Sequence, residues 1–149
     1  MTKILFVCHG NICRSPMGEF IMKDIVEQAG RSDDFYIRSA AARTDEIGSP
    51  VYPPAAAKLR EHGIDPSGKV ARLLTRADYD EYDYIIGMDE ENMRDMRRMF
   101  SDDSKVHKLL EFTGSSRDVS DPWYTRDFEK AYEDIYEGCL ALAQQLGIN

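Results

Sequence analysis

The sequence predicts an α/β fold, one domain in three layers with helices on both faces of a parallel sheet. Three observations carry this. Short apolar runs alternate along the chain with stretches of helical spacing, the pattern of βαβ units. The first such run, Lys3 to Val7, passes through a glycine-containing loop into a segment that reads as a capped helix. A length of 149 residues suits one domain with a single core, which places the domain over residues 1–149.

Taken in order, the first strand covers Lys3–Cys8. Ser15-Pro16 reads as an N-cap followed by proline at the first helical position, so the first helix runs from about Pro16 to Ala29. Met17, Phe20, Ile21, Ile25 and Val26 recur at helical spacing, and Gly30 supplies the stop. A second strand follows near Phe35–Ser39, then a loop over residues 40–53 containing Gly48 and Pro50. Pro53-Pro54 opens a helix that His62-Gly63 closes, and residues 64–74 are irregular or partly extended. Thr75 caps a short helix over Arg76–Glu81, Tyr84–Met88 is a buried strand, and Asp89 caps a helix over Glu90–Phe100. Val106–Leu109 is a fourth short strand and Gly114–Trp123 a polar loop. The last helix runs from about Asp127 to Leu146, with Phe128, Ala131, Tyr132, Ile135, Cys139, Leu142 and Leu146 on one apolar face. Four strands with flanking helices give a flavodoxin-like doubly wound sheet of order 2-1-3-4. Such sheets bind ligands beyond the carboxyl ends of their strands, where Cys8 falls.

Composition narrows the function. A formal net charge of −8 argues against nucleic acid as the main partner, but not against an anionic substrate held by local donors. No apolar run is long enough to cross a bilayer, and the N-terminal one is too short for a signal peptide, so no membrane partner and a cytoplasmic location are expected. Three cysteines without framework spacing argue against structural disulfides.

Residues 8–15, Cys8-His9-Gly10-Asn11-Ile12-Cys13-Arg14-Ser15, carry the chemistry. A loop between a strand end and a helix N-terminus presents converging backbone N–H groups to an anion. Gly10 and Asn11 permit the positive φ that a tight loop needs. The N–H groups of His9, Gly10, Asn11, Ile12, Cys13 and Arg14 would surround a phosphate, and the Arg14 fork matches it bidentately. The helix dipole and the guanidinium favour a thiolate at Cys8, the nucleophile, and Ser15 places a hydroxyl near the sulfur. The alternative is a cysteine that merely packs at the end of a buried strand. The acid that such chemistry needs is sought on another loop, and Asp121 is the best candidate, with Trp123 and Tyr124 as an apolar wall beside it. Taken alone, Asp121-Pro122 reads rather as an ordinary turn, with Trp123 packed in the core. The spacing of Cys8, His9 and Cys13 matches no common structural zinc pattern, so no metal is expected.

Together these segments resemble the low-molecular-weight protein tyrosine phosphatases over nearly the whole chain. The match is carried by Val7 to Pro16, Ser39-Ala40, Leu59 to Ile64, Ala71-Arg72, Met88-Asp89-Glu90 and Asp121-Pro122. The resemblance implies hydrolysis of phosphotyrosine through a phosphocysteine on Cys8. Arg14 would bind the phosphate, and Asp121 would act first as acid and then as base. It further implies that Ser15 tunes the thiol, and that Asn11 and Ser39 hold the loop by hydrogen bonds. It implies no metal or cofactor, phosphate and related oxyanions as inhibitors, and a monomer or weak dimer. Cys13 matches a second cysteine that protects the nucleophile through a disulfide, the alternative being a loop cysteine with no redox role.

The chain departs from the family pattern at three positions. Asp45 falls where an aromatic residue often lines the cleft, leaving Ile12, Trp123 and Tyr124 as its apolar walls. Lys69 stands near a histidine that supports the loop in animal members, and His9 replaces a small apolar residue. A protein-arginine phosphatase is the near rival, but a threonine typically marks that branch where this chain has Ile12. An arsenate reductase would need two more cysteines, and residues 65–100 hold none. A phosphocarrier would need neither Arg14 nor Asp121, and a non-catalytic phosphate-binding module would tolerate the loss of Asp121.

Overall fold

The computed structural model describes residues 1–148. Four strands, β1 (Thr2–Cys8), β2 (Phe35–Ala41), β3 (Tyr84–Gly87) and β4 (Val106–Lys108), form one sheet in the order β2-β1-β3-β4. Every pairing in it is parallel, as the sequence predicts. Around the sheet lie α1 (Arg14–Gln28), α2 (Pro53–Glu61), α3 (Arg76–Glu81), α4 (Glu90–Met99), α5 (Pro122–Thr125) and α6 (Phe128–Gln145), with 3₁₀ turns at Ser32–Asp34 and Leu109–Thr113.

The strand β1 shows why the first apolar run is continuous rather than alternating. It pairs with β2 on one edge and β3 on the other, and both its faces are covered. Ile4, Phe6 and Cys8 point into the core shared with α1, α2 and α6, while Leu5 and Val7 point into the core shared with α4 and Tyr82. Strand periodicity thus commits Cys8 to the α1 side, at the carboxyl edge of the sheet.

Several predicted boundaries shift, each for a physical reason. The first helix starts at Arg14, and Cys13 stands at its N-cap without a side-chain bond. Ser15 is therefore not the N-cap; its hydroxyl is engaged with Cys8 and Asn11 instead. The positive φ in the loop falls on Asn11 (φ 60°) and not on Gly10. At Gly10 a Cβ would make only ordinary contact, 3.5 Å from the Glu46 side chain. The strand β2 runs two residues past Ser39, because residues 72–74 lie alongside Ala41 and supply its backbone partners. Met88 leaves β3 because the Asn92 side chain takes its N–H. The predicted loop over 114–123 ends in α5, capped by Asp121, which accepts from the Trp123 N–H. Asp127 is the cap of α6 rather than its first residue, accepting from the Lys130 N–H at 2.9 Å.

Close packing fixes one position in α6. A Cβ at Gly138 would fall 2.5 Å from Leu109 Cγ, in the seam between α6 and the turn after β4. Alanine favours a helix by about 1 kcal/mol over glycine, yet overpacking costs about 1–3 kcal/mol. Gly138→Ala is predicted to be destabilising by about 1 kcal/mol net, seen as a lower urea midpoint with unchanged slope.

Candidate active site

The loop between β1 and α1 is anchored from outside through its carbonyls. Cys8 O accepts from the Ala42 N–H, His9 O from Arg43 and Ile12 O from Tyr52, at 2.8–3.0 Å. In a trans peptide this turns the N–H groups of His9, Gly10 and Cys13 the opposite way. The resulting cleft, of about 140 Å³, is lined by Cys8, His9, Gly10, Ile12, Cys13, Arg14, Asp45, Glu46, Asp121, Trp123 and Tyr124.

A buried hydrogen-bond chain orients the sulfur's neighbour. Asn11 Oδ1 accepts from the Arg72 N–H at 3.2 Å, which fixes the amide so that Nδ2 points inward. Nδ2 donates to Ser15 Oγ at 2.7 Å and to Ser39 Oγ at 2.9 Å. Ser39 in turn donates to Glu19 Oε1 at 2.6 Å. With Ser15 Oγ already accepting from Asn11, its own proton is free to face Cys8 Sγ, 3.0 Å away. The Ser15 N–H adds a second donor at 3.3 Å. Both contacts converge on the one sulfur.

Arg14 is 2% exposed, and its charge is met inside the protein. Nη1 donates to Asp89 Oδ2 at 2.7 Å and to the Val119 carbonyl at 2.8 Å, and Nη2 reaches Asp121 Oδ2 at 3.4 Å. Burial disfavours the charged guanidinium, but Cys8, Asp89 and Asp121 more than offset it, so its pKa is raised. Burial pushes the Cys13 thiol up to about 12, with the neighbouring Cys8 and Asp121 charges acting the same way. Among the described residues all three cysteines are free.

The structure brings Cys8, Arg14, Ser15 and Asp121 together, with Ile12, Asp45, Trp123 and Tyr124 on the cleft walls. Trp123 and Tyr124 are 44% and 79% exposed, so they form a rim rather than a core. Trp123 leans on Tyr52, ring centroids 5.0 Å apart. Ser39 lies behind the loop, in the chain of hydrogen bonds rather than the cleft. Lys69 donates to the Ser39 carbonyl at 2.9 Å and lies 3.6 Å from Glu19; burial lowers its pKa.

Sequence reading missed four contributors. Asp89 reads as a cap, and it does accept from the Asn92 N–H, but its other oxygen holds Arg14. Its place directly after β3, at the same sheet edge as Cys8, was the available signal. The Val119 carbonyl, Glu19 and Glu91 carry no local signal at all. The His9 side chain turns outward, with Nδ1 2.8 Å from Glu91 Oε1 and Nε2 2.6 Å from Asp45 Oδ2.

Asn11→Ala would place an ordinary residue at positive φ, at about 1–2 kcal/mol, and remove buried hydrogen bonds worth about 1 kcal/mol each. A loss of about 2–4 kcal/mol in urea denaturation is predicted; a loss below about 0.5 kcal/mol would show that the loop does not depend on this amide.

Residues 3–149 match the sequence model of the family described as low molecular weight phosphotyrosine protein phosphatase. The low molecular weight protein-tyrosine-phosphatase YfkJ of Bacillus subtilis is 40% identical over 146 residues, covering 95% of this chain and 94% of its own. The crystal structure of YfkJ superposes with a TM-score of 0.95 at 38% identity, over 99% of this chain and 95% of that one. A Drosophila arginine phosphatase superposes with a TM-score of 0.90 at 29% identity, over 97% and 98%. Loop, sheet order and sequence therefore agree, and the chain belongs to the low molecular weight phosphotyrosine protein phosphatase family.

Proposed function

We propose that this protein hydrolyses phosphotyrosine in proteins or peptides, with Cys8 as nucleophile. The observation that carries this reading is the convergence of three groups on one cleft, the Cys8 sulfur, the Arg14 guanidinium and the Asp121 carboxyl, with the buried Ser15 hydroxyl 3.0 Å behind the sulfur. In the first step the Cys8 thiolate attacks phosphorus and the bond to the tyrosine oxygen breaks. Asp121 gives that oxygen its proton. The loop N–H groups of residues 9–14 and the Arg14 fork hold the three equatorial oxygens. In the second step Asp121 takes a proton from water, whose oxygen attacks phosphorus, and Cys8 leaves as a thiolate stabilised by Ser15. The side chains and water account for every proton and electron pair.

Ile12, Trp123 and Tyr124 offer apolar surface to an aromatic ring at the cleft mouth. The likeness to an arginine phosphatase keeps phosphoarginine as the second reading; Ile12 in the loop favours the aromatic ester. Phosphate and other tetrahedral oxyanions would occupy the same cleft and inhibit. Cys13 adds a redox reading: peroxide converts the Cys8 thiolate to a sulfenic acid, and the Cys13 sulfur displaces water from it to form a disulfide. Free thiols and this chemistry fit a reducing compartment such as the cytoplasm. Among the described residues no helix is long and apolar enough to cross a membrane.

Phosphate release from a phosphotyrosine peptide, a phosphoserine peptide and phosphoarginine tests the reading. Turnover of phosphotyrosine alone is expected, abolished in Cys8→Ser, with kcat reduced about 10²–10⁴-fold in Asp121→Asn. Turnover of phosphoarginine instead moves the protein to the rival substrate. Undiminished turnover in Asp121→Asn refutes the assignment of the acid.

A further inference from the structure

We propose that His9 is a positioning residue: as an imidazolium it ties the rim segment around Asp45 to α4, and on losing its proton it loosens that rim and weakens substrate binding. The proposal rests on the phosphatase reading for its kinetic consequence and on geometry alone for the tie.

The geometry leaves little choice of protonation. A neutral imidazole offers one N–H donor and one lone pair. Here both ring nitrogens face carboxylate oxygens, Asp45 Oδ2 at 2.6 Å and Glu91 Oε1 at 2.8 Å. Ionised carboxylates only accept, so both bonds exist together only when both nitrogens carry protons. Deprotonation would set a nitrogen lone pair against a carboxylate, and one bond must open.

The surroundings decide which. Glu91 sits in the first turn of α4, which is fixed by the Asp89–Asn92 capping box. His9 itself is anchored through its carbonyl to the Arg43 N–H. Asp45, 62% exposed, stands on the loop between β2 and α2 and is the freer partner. That loop has a separate tie upstream, where Arg43 binds Asp95 of α4 through two bonds of 2.9 Å. Beyond it, Asp45 binds His9, Glu46 accepts from Ser49, and both carboxylates reach the cleft wall.

The charges facing the ring are mixed in sign. From the rim loop come Asp45, Glu46 and Arg43, from α4 come Glu91 and Asp95, from its own loop Cys8, and across the cleft Arg14 and Asp121. Burial of the ring opposes its charge, but the hydrogen bonds and fields of Glu91 and Asp45 more than offset this and raise the His9 pKa above 6.5. For a raised pKa, the added stability is full below pH 6.5 and is lost as pH rises through the native value.

The test is a titration of the intact protein with ¹⁵N-labelled histidine from pH 5 to pH 10, alongside kinetics on a phosphotyrosine peptide above pH 7. The substrate phosphate, with a second ionisation near about 6, then stays a dianion. The expected His9 midpoint lies above 6.5, with both nitrogens protonated below it. Amide exchange at residues 44–46 should speed up through that midpoint, and KM should rise about threefold, the scale of a partly exposed ion pair. Glu91→Gln keeps an acceptor and removes a charge. It should lower the His9 midpoint and carry the KM inflection with it, leaving the plateau kcat unchanged. A wild-type midpoint at or below 6.5, or rim exchange and KM that ignore the midpoint, overturns the proposal. If no phosphoester turns over, the phosphatase reading fails, while the His9 titration and rim exchange still decide the tie.

Discussion

The buried charge of Arg14 is the constraint on which the rest of the site depends. A guanidinium with almost no water contact is tolerable only where acceptors surround it. Its acceptors come from three separate places: Asp89 after β3, the Val119 carbonyl before α5, and Asp121 at the cap of α5. Meeting them requires the carboxyl ends of β1 and β3 to lie side by side and the 114–121 segment to return over both. Val119 itself is pinned by its N–H to the Met88 carbonyl at 2.9 Å. Such a buried network contributes little net stability, because desolvation offsets the Coulomb gain. Its effect is to fix where one fork of nitrogen donors sits relative to the Cys8 sulfur.

A second polar network, behind the loop, complements the first. Asn11 is its hub, and the chain runs from Cys8 and Ser15 through Asn11 and Ser39 to Glu19. Glu19 is 2% exposed and is balanced by Lys23 at 2.6 Å and Lys69 at 3.6 Å. The negative charge of Glu19 therefore lies at the far end from the Cys8 sulfur, with two cations holding it there. Each hydroxyl has one donor behind it and one acceptor ahead, so the direction of every proton is set. The helix dipole and the loop amides act on the same sulfur without further ordering cost.

The parts legible in the sequence are those governed by local rules. The continuous apolar run of β1, the Thr75 and Asp89 caps and the proline start of α2 each follow from a few adjacent residues. Cys8, Arg14 and Ser15 were legible because one loop carries them all. Asp121 was legible only in combination, since Asp-Pro is common in turns. What was not legible is pairing across the chain: Arg14 with Asp89, 75 residues away, and His9 with Glu91, 82 residues away. The misplaced N-cap at Ser15 has the same origin. Its capping pattern is local, but its hydroxyl is claimed by Cys8 and Asn11, and tertiary demand overrides the propensity.

The Arg14–Asp121 contact has a consequence for the proposed reaction. At 3.4 Å it is the longest of the three Arg14 contacts and the only one that faces the cleft. Asp89 and Val119 both take Nη1, so Nη2 and the neighbouring Nε are the donors left for a ligand. A phosphoryl group entering the loop presents oxygens that bind a guanidinium more strongly than a distant carboxylate does. It would replace Asp121 on Nη2, and the carboxyl would turn toward the bridging oxygen. Asp121 stays anchored meanwhile, because its other oxygen caps α5 through the Trp123 N–H. In the proposed reaction one residue would thus cap α5, hold Nη2 until a phosphate arrives, and then act as the acid.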